Sequence, residues 1–292
     1  MTRVVNSRIR LLLLCILLVF AALFARAGWI ATVRASALSQ MAQIQTKATV
    51  ILPAGRGTIF DSMGAPLALG EQATTVFADP RQVVHPQTEA NIAARVLGLK
   101  AKPIYRLLTN RTLGFVYVER KADPKLATKL AKLKLSGFGY YGEERRVYPQ
   151  NSVAAQVLGY AGVDNQGLSG LELQLDNALR GRAGEQIVVR DPFGRPIKID
   201  PVTPARPGKA AFLTIDDTIQ ANAEQVLRQT VSKWGAKDAT AIVLNPRTGA
   251  VLAMAEAPSY DANNFPNVAA KFERNHAVSD FFEPGSVFKV VT

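Results

Sequence analysis

Near the end of the 292-residue sequence, Phe282-Glu283-Pro284-Gly285-Ser286-Val287-Phe288-Lys289 sets a serine and a lysine three residues apart. Pro and Gly ahead of the serine place it at a helix start, where free backbone N–H groups and the positive dipole end favour developing negative charge. A lysine at i+3 lies one turn on, on the same face, within reach of the serine Oγ. A serine hydroxyl is a poor nucleophile without an adjacent base. Lysine can be that base only where burial or a neighbouring cation keeps its amine neutral. Acyl transfer through a serine ester is the chemistry such a pair could do. The spacing alone is a weak signal, because 11 serines and 14 lysines give about half a chance occurrence in this length. An ordinary helix start with a solvent lysine has the same letters.

Other candidates for chemistry are poorer. Asp216-Asp217 reads as helix capping rather than a carboxylate pair. Gly159-Tyr160-Ala161-Gly162 lacks the strand–loop–helix context of a phosphate loop. A single cysteine, Cys15, excludes a disulfide framework and any cysteine-based zinc site. Two histidines, His85 and His276, are too few for a histidine-rich metal centre.

The elements that must position Ser286 are regular. After the Pro-rich break at residues 201–207 (PVTPARP), residues 210–215 read as a strand. Asp216, Asp217 and Thr218 then cap a helix running to about Trp234, with Ile219, Ala223, Val226 and Leu227 at helical spacing. Residues 239–244 and 250–255 form two apolar strands joined by Asn245-Pro246-Arg247-Thr248-Gly249, a β-hairpin with a Pro/Gly turn.

Upstream, residues 58–64 read as a strand running into an Asp/Gly turn, and residues 88–97 as a helix ended by Gly98. Asp123-Pro124 opens a helix over residues 125–133, with Leu126, Leu130 and Leu133 on one face and Lys125, Lys129 and Lys132 on another. The net charge is +12, and residues 95–134 carry +9 of it, from 11 Lys/Arg and 2 Asp/Glu. That stretch is either a solvated face or a contact with anionic lipid head groups or cell-wall polymer.

Topology decides against nucleic acid. Arg3, Arg8 and Arg10 precede an apolar run, and residues 11–33 are long enough for a transmembrane helix if Arg26 snorkels. The basic head leaves residues 1–10 in the cytoplasm and exports the chain beyond residue 33. A cleaved signal peptide ending at Ala25-Arg26-Ala27 exports the same residues. Residues 34–50 read as a juxtamembrane linker.

Several motifs in order resemble the class B penicillin-binding proteins, the membrane-anchored D,D-transpeptidases of bacterial cell-wall synthesis. Arg56-Gly57-Thr58-Ile59-Phe60-Asp61 with Gly64 resembles the strand-turn motif that opens the family's pedestal. Arg146-Val147-Tyr148-Pro149 is similar to its Arg-x-Tyr-Pro segment, and Gly167, Gly170 and Glu172 match Gly-x-x-Gly-x-Glu. Arg190-Asp191 with Gly194-Arg195 resembles the strand that comes next. The hairpin and the Ser286 segment resemble the opening of the transpeptidase domain. Glu283 resembles the division-specific (FtsI-like) branch. Ser62-Met63 stand where a basic residue is usual, and His276 where Arg is common.

The resemblance implies an α+β chain with an N-terminal transmembrane helix. A mixed α+β pedestal, or dimerisation, domain comes next over 51–200, then a linker at 201–207. The first part of a β-lactamase/transpeptidase-like domain occupies 208–292. It implies Ser286 as nucleophile and Lys289 as general base, acting without metal or cofactor. The substrate would be a peptidoglycan stem peptide ending in D-Ala-D-Ala, which β-lactams mimic. Partners would be a SEDS-type membrane glycosyltransferase and other division proteins, and the site of action the bacterial inner membrane. The alternatives are a non-catalytic, membrane-anchored scaffold and a β-lactam sensor or β-lactamase. The family also needs Ser-x-Asn and Lys-Thr-Gly after the nucleophile. Neither occurs in these residues, and Arg247-Thr248-Gly249 precedes Ser286 as turn chemistry. The expectation is a C-terminally truncated chain that is inactive alone.

Overall fold

The computed structural model describes residues 2–32, 47–190, 196–268, 270–281 and 283–290. Most of the expected linker, together with Asp191, Gly194 and Arg195 of the fourth motif, lies outside the described residues. The chain runs α1 (Thr2–Thr32), β1 (Lys47–Leu52), β2 (Ile59–Phe60), β3 (Pro66–Ala78), α2 (Pro86–Leu97), α3 (Ala101–Thr109), β4 (Val116–Ala122), α4 (Pro124–Ala131) and β5 (Phe138–Val147). Single turns α5 (Ala155–Leu158), α6 (Gly170–Gln174) and α7 (Asp176–Leu179) come next, then β6 (Gly184–Arg190), β7 (Pro196–Thr203) and β8 (Ala211–Phe212). The last part holds α8 (Asp217–Trp234), β9 (Ala239–Leu244), β10 (Val251–Ala257), α9 (Ala270–Glu273) and α10 (His276–Ser279), with 3-10 turns at Ala262–Asn267 and Gly285–Val290.

Contacts divide the chain into two compact units, Met1–Leu52 with Glu185–Pro204, and Pro53–Gly184 with Ala205–Thr292. The first holds α1 and the three-stranded sheet β1–β6–β7. Strand β1 begins at Lys47, inside the segment expected as linker, and β6 and β7 group with it rather than with the rest of the pedestal. In α1, Leu13, Leu14, Leu23, Phe24 and Trp29 are exposed. Among the described residues, whose side chains in this helix begin at Leu13, no helix is long and apolar enough to cross a membrane.

The second unit is organised by β3. It pairs antiparallel with β5 along residues 69–78, with β4 at its far end and with β2 at its start, and β2 pairs in parallel with β8. One face of β4–β3–β5 is covered by α2, α3 and α4. There Val76, Val116 and Val118 meet Ala90, Ala93, Ile104, Leu108 and Leu130. Helix α2 stops where expected, with Gly98 in the left-handed region at φ 72° and the Leu99 N–H closing on the Ala94 carbonyl. Helix α4 starts where expected, the Asp123 carboxylate accepting from the Lys125 N–H at 2.7 Å. The helix stops at Ala131, short of the expected 133; Leu130 is buried, Leu126 is 37% exposed, and Leu133, past the C-cap Lys132, is 50% exposed. A second core joins Ile59, Leu67, Tyr148, Ala155, Leu158 and Leu179 to Tyr260 and Ala262. The Tyr160 and Phe265 rings stack beside it, 5.0 Å apart.

Helix α8 is capped at both ends as read, by the Asp216 carboxylate on the Ile219 N–H and by Gly235 at φ 61°. Its inward face is a different matter. The periodic apolar positions suggest Ile219, Ala223, Val226 and Leu227, yet Gln220 and Glu224 are the buried side chains and Val226 is 59% exposed. The Gln220 amide donates to the Met254 carbonyl at 3.0 Å and accepts from the Met254 N–H at 2.7 Å, pairing with β10 as a strand would. Glu224 accepts from the Ala154 N–H at 2.7 Å. Directed hydrogen bonds to backbone with no other partner outweigh the burial of Val226 here.

Candidate active site

The hairpin β9–β10 is antiparallel, with Gly249 at φ 74° closing its turn and the Asn245 side-chain oxygen accepting from the Arg247 N–H. Arg247-Thr248-Gly249 is therefore part of a turn. The hairpin carries α10. The Glu256 carboxylate accepts from the Ala277 N–H at 3.2 Å, and the Asn275 amide donates to Met254 Sδ at 3.3 Å. Glu256 is 3% exposed, and its burial pushes the carboxyl pKa up against the opposing pull of the Ala277 N–H and His276. His276 Nδ1 lies 2.7 Å from the Asp280 carboxylate, and the Arg274 guanidinium donates to the Ser279 carbonyl at 2.8 Å. A cavity of about 370 Å³ opens between these groups and the start of β9, lined by Glu256, His276, Lys237 and Asp238 among others. The sequence signal for Glu256 is a lone carboxylate in an otherwise apolar strand.

Four residues after Asp280, Pro284 leads into the 3-10 turn Gly285–Val290, with Gly285 at φ 59°. Ser286 and Lys289 both lie in this turn, and both are exposed. A 3-10 turn has three residues per turn, so side chains at i and i+3 eclipse on one face, about 6 Å apart along the axis. The expected pair thus occurs on one face of a tighter helix than the α-helical start read from the sequence.

The pedestal motifs converge on a second constellation. The Arg56 guanidinium donates to the Glu172 carboxylate at 2.6 Å, to Asp176 at 2.7 Å and to the Asn165 and Glu172 carbonyls. Arg146 donates to the other Glu172 oxygen at 2.7 Å and to the Gly57 carbonyl at 2.8 Å. Tyr148 receives the Ala161 N–H, and burial followed by the Glu172 charge pushes its phenol well above the usual range. Gly57 is confined by the Lys209 carbonyl, 1.9 Å from where a Cβ would stand. Asp61, fully buried, holds the turn after β2 by accepting from the Met63 and Ala65 N–H groups. Arg56, Arg146 and Glu172 are the charged letters of three separate motifs; in the fold they are one ion cluster whose job is architectural.

Residues 51–213 match the family model of the penicillin-binding protein dimerisation domain, and residues 239–292 that of the penicillin-binding protein transpeptidase domain. The chain is 34% identical over 289 residues to a probable peptidoglycan D,D-transpeptidase PenA of Neisseria meningitidis, covering 97% of this chain and 50% of that protein. It is 32% identical to the peptidoglycan D,D-transpeptidase FtsI of Escherichia coli, over 98% of this chain and 50% of the other. Stage V sporulation protein D of Bacillus subtilis is 32% identical, over 99% and 46%. Among solved structures, a peptidoglycan synthetase from Bifidobacterium adolescentis gives a TM-score of 0.57 at 28% identity, over 84% of this chain and 50% of that one. Penicillin Binding Protein 2X from Streptococcus thermophilus gives 0.53 at 23% identity over 74% and 36%, a likeness of fold. The chain spans about half the length of the curated relatives it matches.

Proposed function

This chain belongs to the penicillin-binding protein family, and from that premise we propose that it is the anchor, pedestal and first catalytic segment of a peptidoglycan D,D-transpeptidase of septal wall synthesis. Ser286 Oγ adds to the carbonyl carbon of the penultimate D-Ala in a stem peptide, while neutral Lys289 takes its proton. Collapse breaks the D-Ala–D-Ala amide, the proton passes to the departing amine, and the stem remains as an ester on Ser286. An amine from a neighbouring strand then attacks the ester, forms the cross-link amide and returns the proton to Ser286. β-Lactams acylate the same oxygen. No metal or cofactor enters the sequence of steps.

The observation that carries this reading is the place of the pair: Ser286 and Lys289 fall within the segment matched to the transpeptidase domain, exposed in one 3-10 turn. Residues 11–33 serve as a single-pass anchor in the bacterial inner membrane, with residues 1–10 cytoplasmic. The pedestal, 51–200, contacts a SEDS-type glycosyltransferase and other division proteins. The test is labelling by a fluorescent penicillin in a protein that joins this chain to the downstream half its relatives have. Ser286→Ala should abolish the label, and labelling that survives it removes Ser286 from the mechanism. The 292-residue chain alone should label poorly, since Ser-x-Asn and Lys-Thr-Gly do not come after Ser286 in it.

A further inference from the structure

Helix α4 has one covered side and one bare side. Ala127 and Leu130 are buried against the sheet, while Lys125, Lys129 and the C-cap Lys132 stand at i, i+4 and i+7 on the solvent side. Between that row and the core stands Leu126, 37% exposed, and Leu133, just past the C-cap, is 50% exposed. Helices α2 and α3 carry further exposed cations, Arg95, Lys102 and Arg106. None of these six cations makes an ion pair among the described residues. Asp123, at the head of the row, is engaged in capping the helix.

We propose that this face of α4 docks on an anionic bilayer surface, with the lysines on lipid phosphates and the two leucines in the interfacial layer. Three features of the face select that occupant. A row of cations needs a negative surface to settle on. Exposed leucines flanking the row gain only where an apolar medium lies just behind the charged layer, as it does at a head-group boundary; a soluble polyanion would use the lysines alone. The cations of the row are lysines with no aromatic residue among them, whereas protein interfaces are depleted in lysine and enriched in arginine and aromatics. The proposal rests on the anchoring reading above, because a chain held at a bilayer by residues 11–33 meets that bilayer at high effective concentration.

The experiment uses the whole chain in nanodiscs, with Cys15→Ser and a fluorophore on Thr128→Cys, in phosphatidylcholine alone or with phosphatidylglycerol. Lipids carrying a nitroxide head group should quench the label in the anionic discs, far less in the neutral ones, and less again as salt is raised. Each lysine contributes about fivefold at an anionic surface, so Lys125→Gln/Lys129→Gln/Lys132→Gln should lower the docked-to-undocked ratio about a hundredfold. Leu126→Ser/Leu133→Ser should also release the face, and thermal melting of both variants checks that each is folded at the temperature of the assay. Equal quenching in neutral and anionic discs overturns the proposal. Unchanged docking in the leucine variant also overturns it, because the lysines alone would then hold the face at the charged layer with no apolar contribution. If the chain fails to enter neutral discs, the anchoring reading fails by itself. Flotation with phosphatidylglycerol vesicles then decides the proposal: quenching of the same label upholds it, and an unquenched label refutes it.

Discussion

Replacing Glu172 by glutamine keeps the side-chain shape and one acceptor oxygen but removes a charge that is fully buried. The carboxylate sits between two guanidiniums at 2.6 and 2.7 Å whose side chains are 1% and 3% exposed. Leaving aside the exposed Arg180, 3.6 Å from Asp176 at the rim, the two buried arginines balance the two carboxylates; once Glu172 is replaced by the uncharged amide, one buried cation has no counterion. Breaking a buried pair in this way costs about 3–5 kcal/mol. In a folded unit of this size each kcal/mol lowers Tm by about 2–4 °C, so Glu172→Gln should melt roughly 6–20 °C below the parent. The assay is thermal and urea unfolding of the chain in detergent, followed by circular dichroism. A second variant separates charge from packing. Arg146→Met/Glu172→Leu leaves the neutral Arg56–Asp176 pair, and should recover at least about 1 kcal/mol relative to the sum of the two single changes. A Glu172→Gln cost under about 1 kcal/mol, or strict additivity in the double variant, refutes the account of the cluster as a mutually neutralising core.

The same structure sets three further outcomes. Burial raises the Asp176 carboxyl, but the Arg56 hydrogen bond and the Gly167 N–H outweigh it and hold the group below its usual 3.8. Its contribution to stability is complete above that pH and is lost as pH falls through the lowered value, so Asp176→Asn should flatten the acid limb of a stability–pH curve. Gly57→Ala should prevent the β2 region from closing on the Lys209 carbonyl and lower the yield of folded chain, whereas Gly142→Ala, with open space around its Cβ position, should melt like the parent. In the joined protein, Lys289→Ala should leave folding intact and suppress acylation by penicillin measured by stopped-flow; an unchanged acylation rate excludes Lys289 as the base.

Local signals in the sequence were enough wherever neighbours along the chain decide the structure. Asp216 and Gly235 bracket α8, Asp123-Pro124 starts α4, and Gly98 ends α2, because caps depend on groups within four residues. The hairpin is equally local. Side-chain direction was less legible. Periodicity ranks the faces of α8 by apolarity, yet the buried face is fixed by Met254 and Ala154, 34 and 70 residues away. Likewise α4 buries Leu130, leaves Leu126 outside and stops before Leu133, a choice made by where α2 and the sheet lie. Short α3 has a Pro in its first turn and no side-chain cap, and gave no signal. For the candidate site, the spacing of Ser286 and Lys289 is visible in the letters. The support that Glu256 gives α10 is not, since it joins residues 21 apart.

The pedestal motifs also set a schedule. Ile59 pairs with Ala68 at once but with Ala211 only later, and Arg56 waits for Glu172, so the first strand of the second unit gains one neighbour early and the other late. At about 5–20 residues per second, synthesis leaves roughly 8–30 s between the appearance of β2 and that of β8. Throughout that interval β2 keeps one open edge, and Arg56 is without its carboxylates until Glu172 and Asp176 emerge. Closing a loop of this length late is cheap in entropy, but the β2–β8 junction cannot form until β8 has emerged. A chain built this way keeps that edge exposed to misassociation until β8 is delivered, and any delay in its arrival lengthens the exposure.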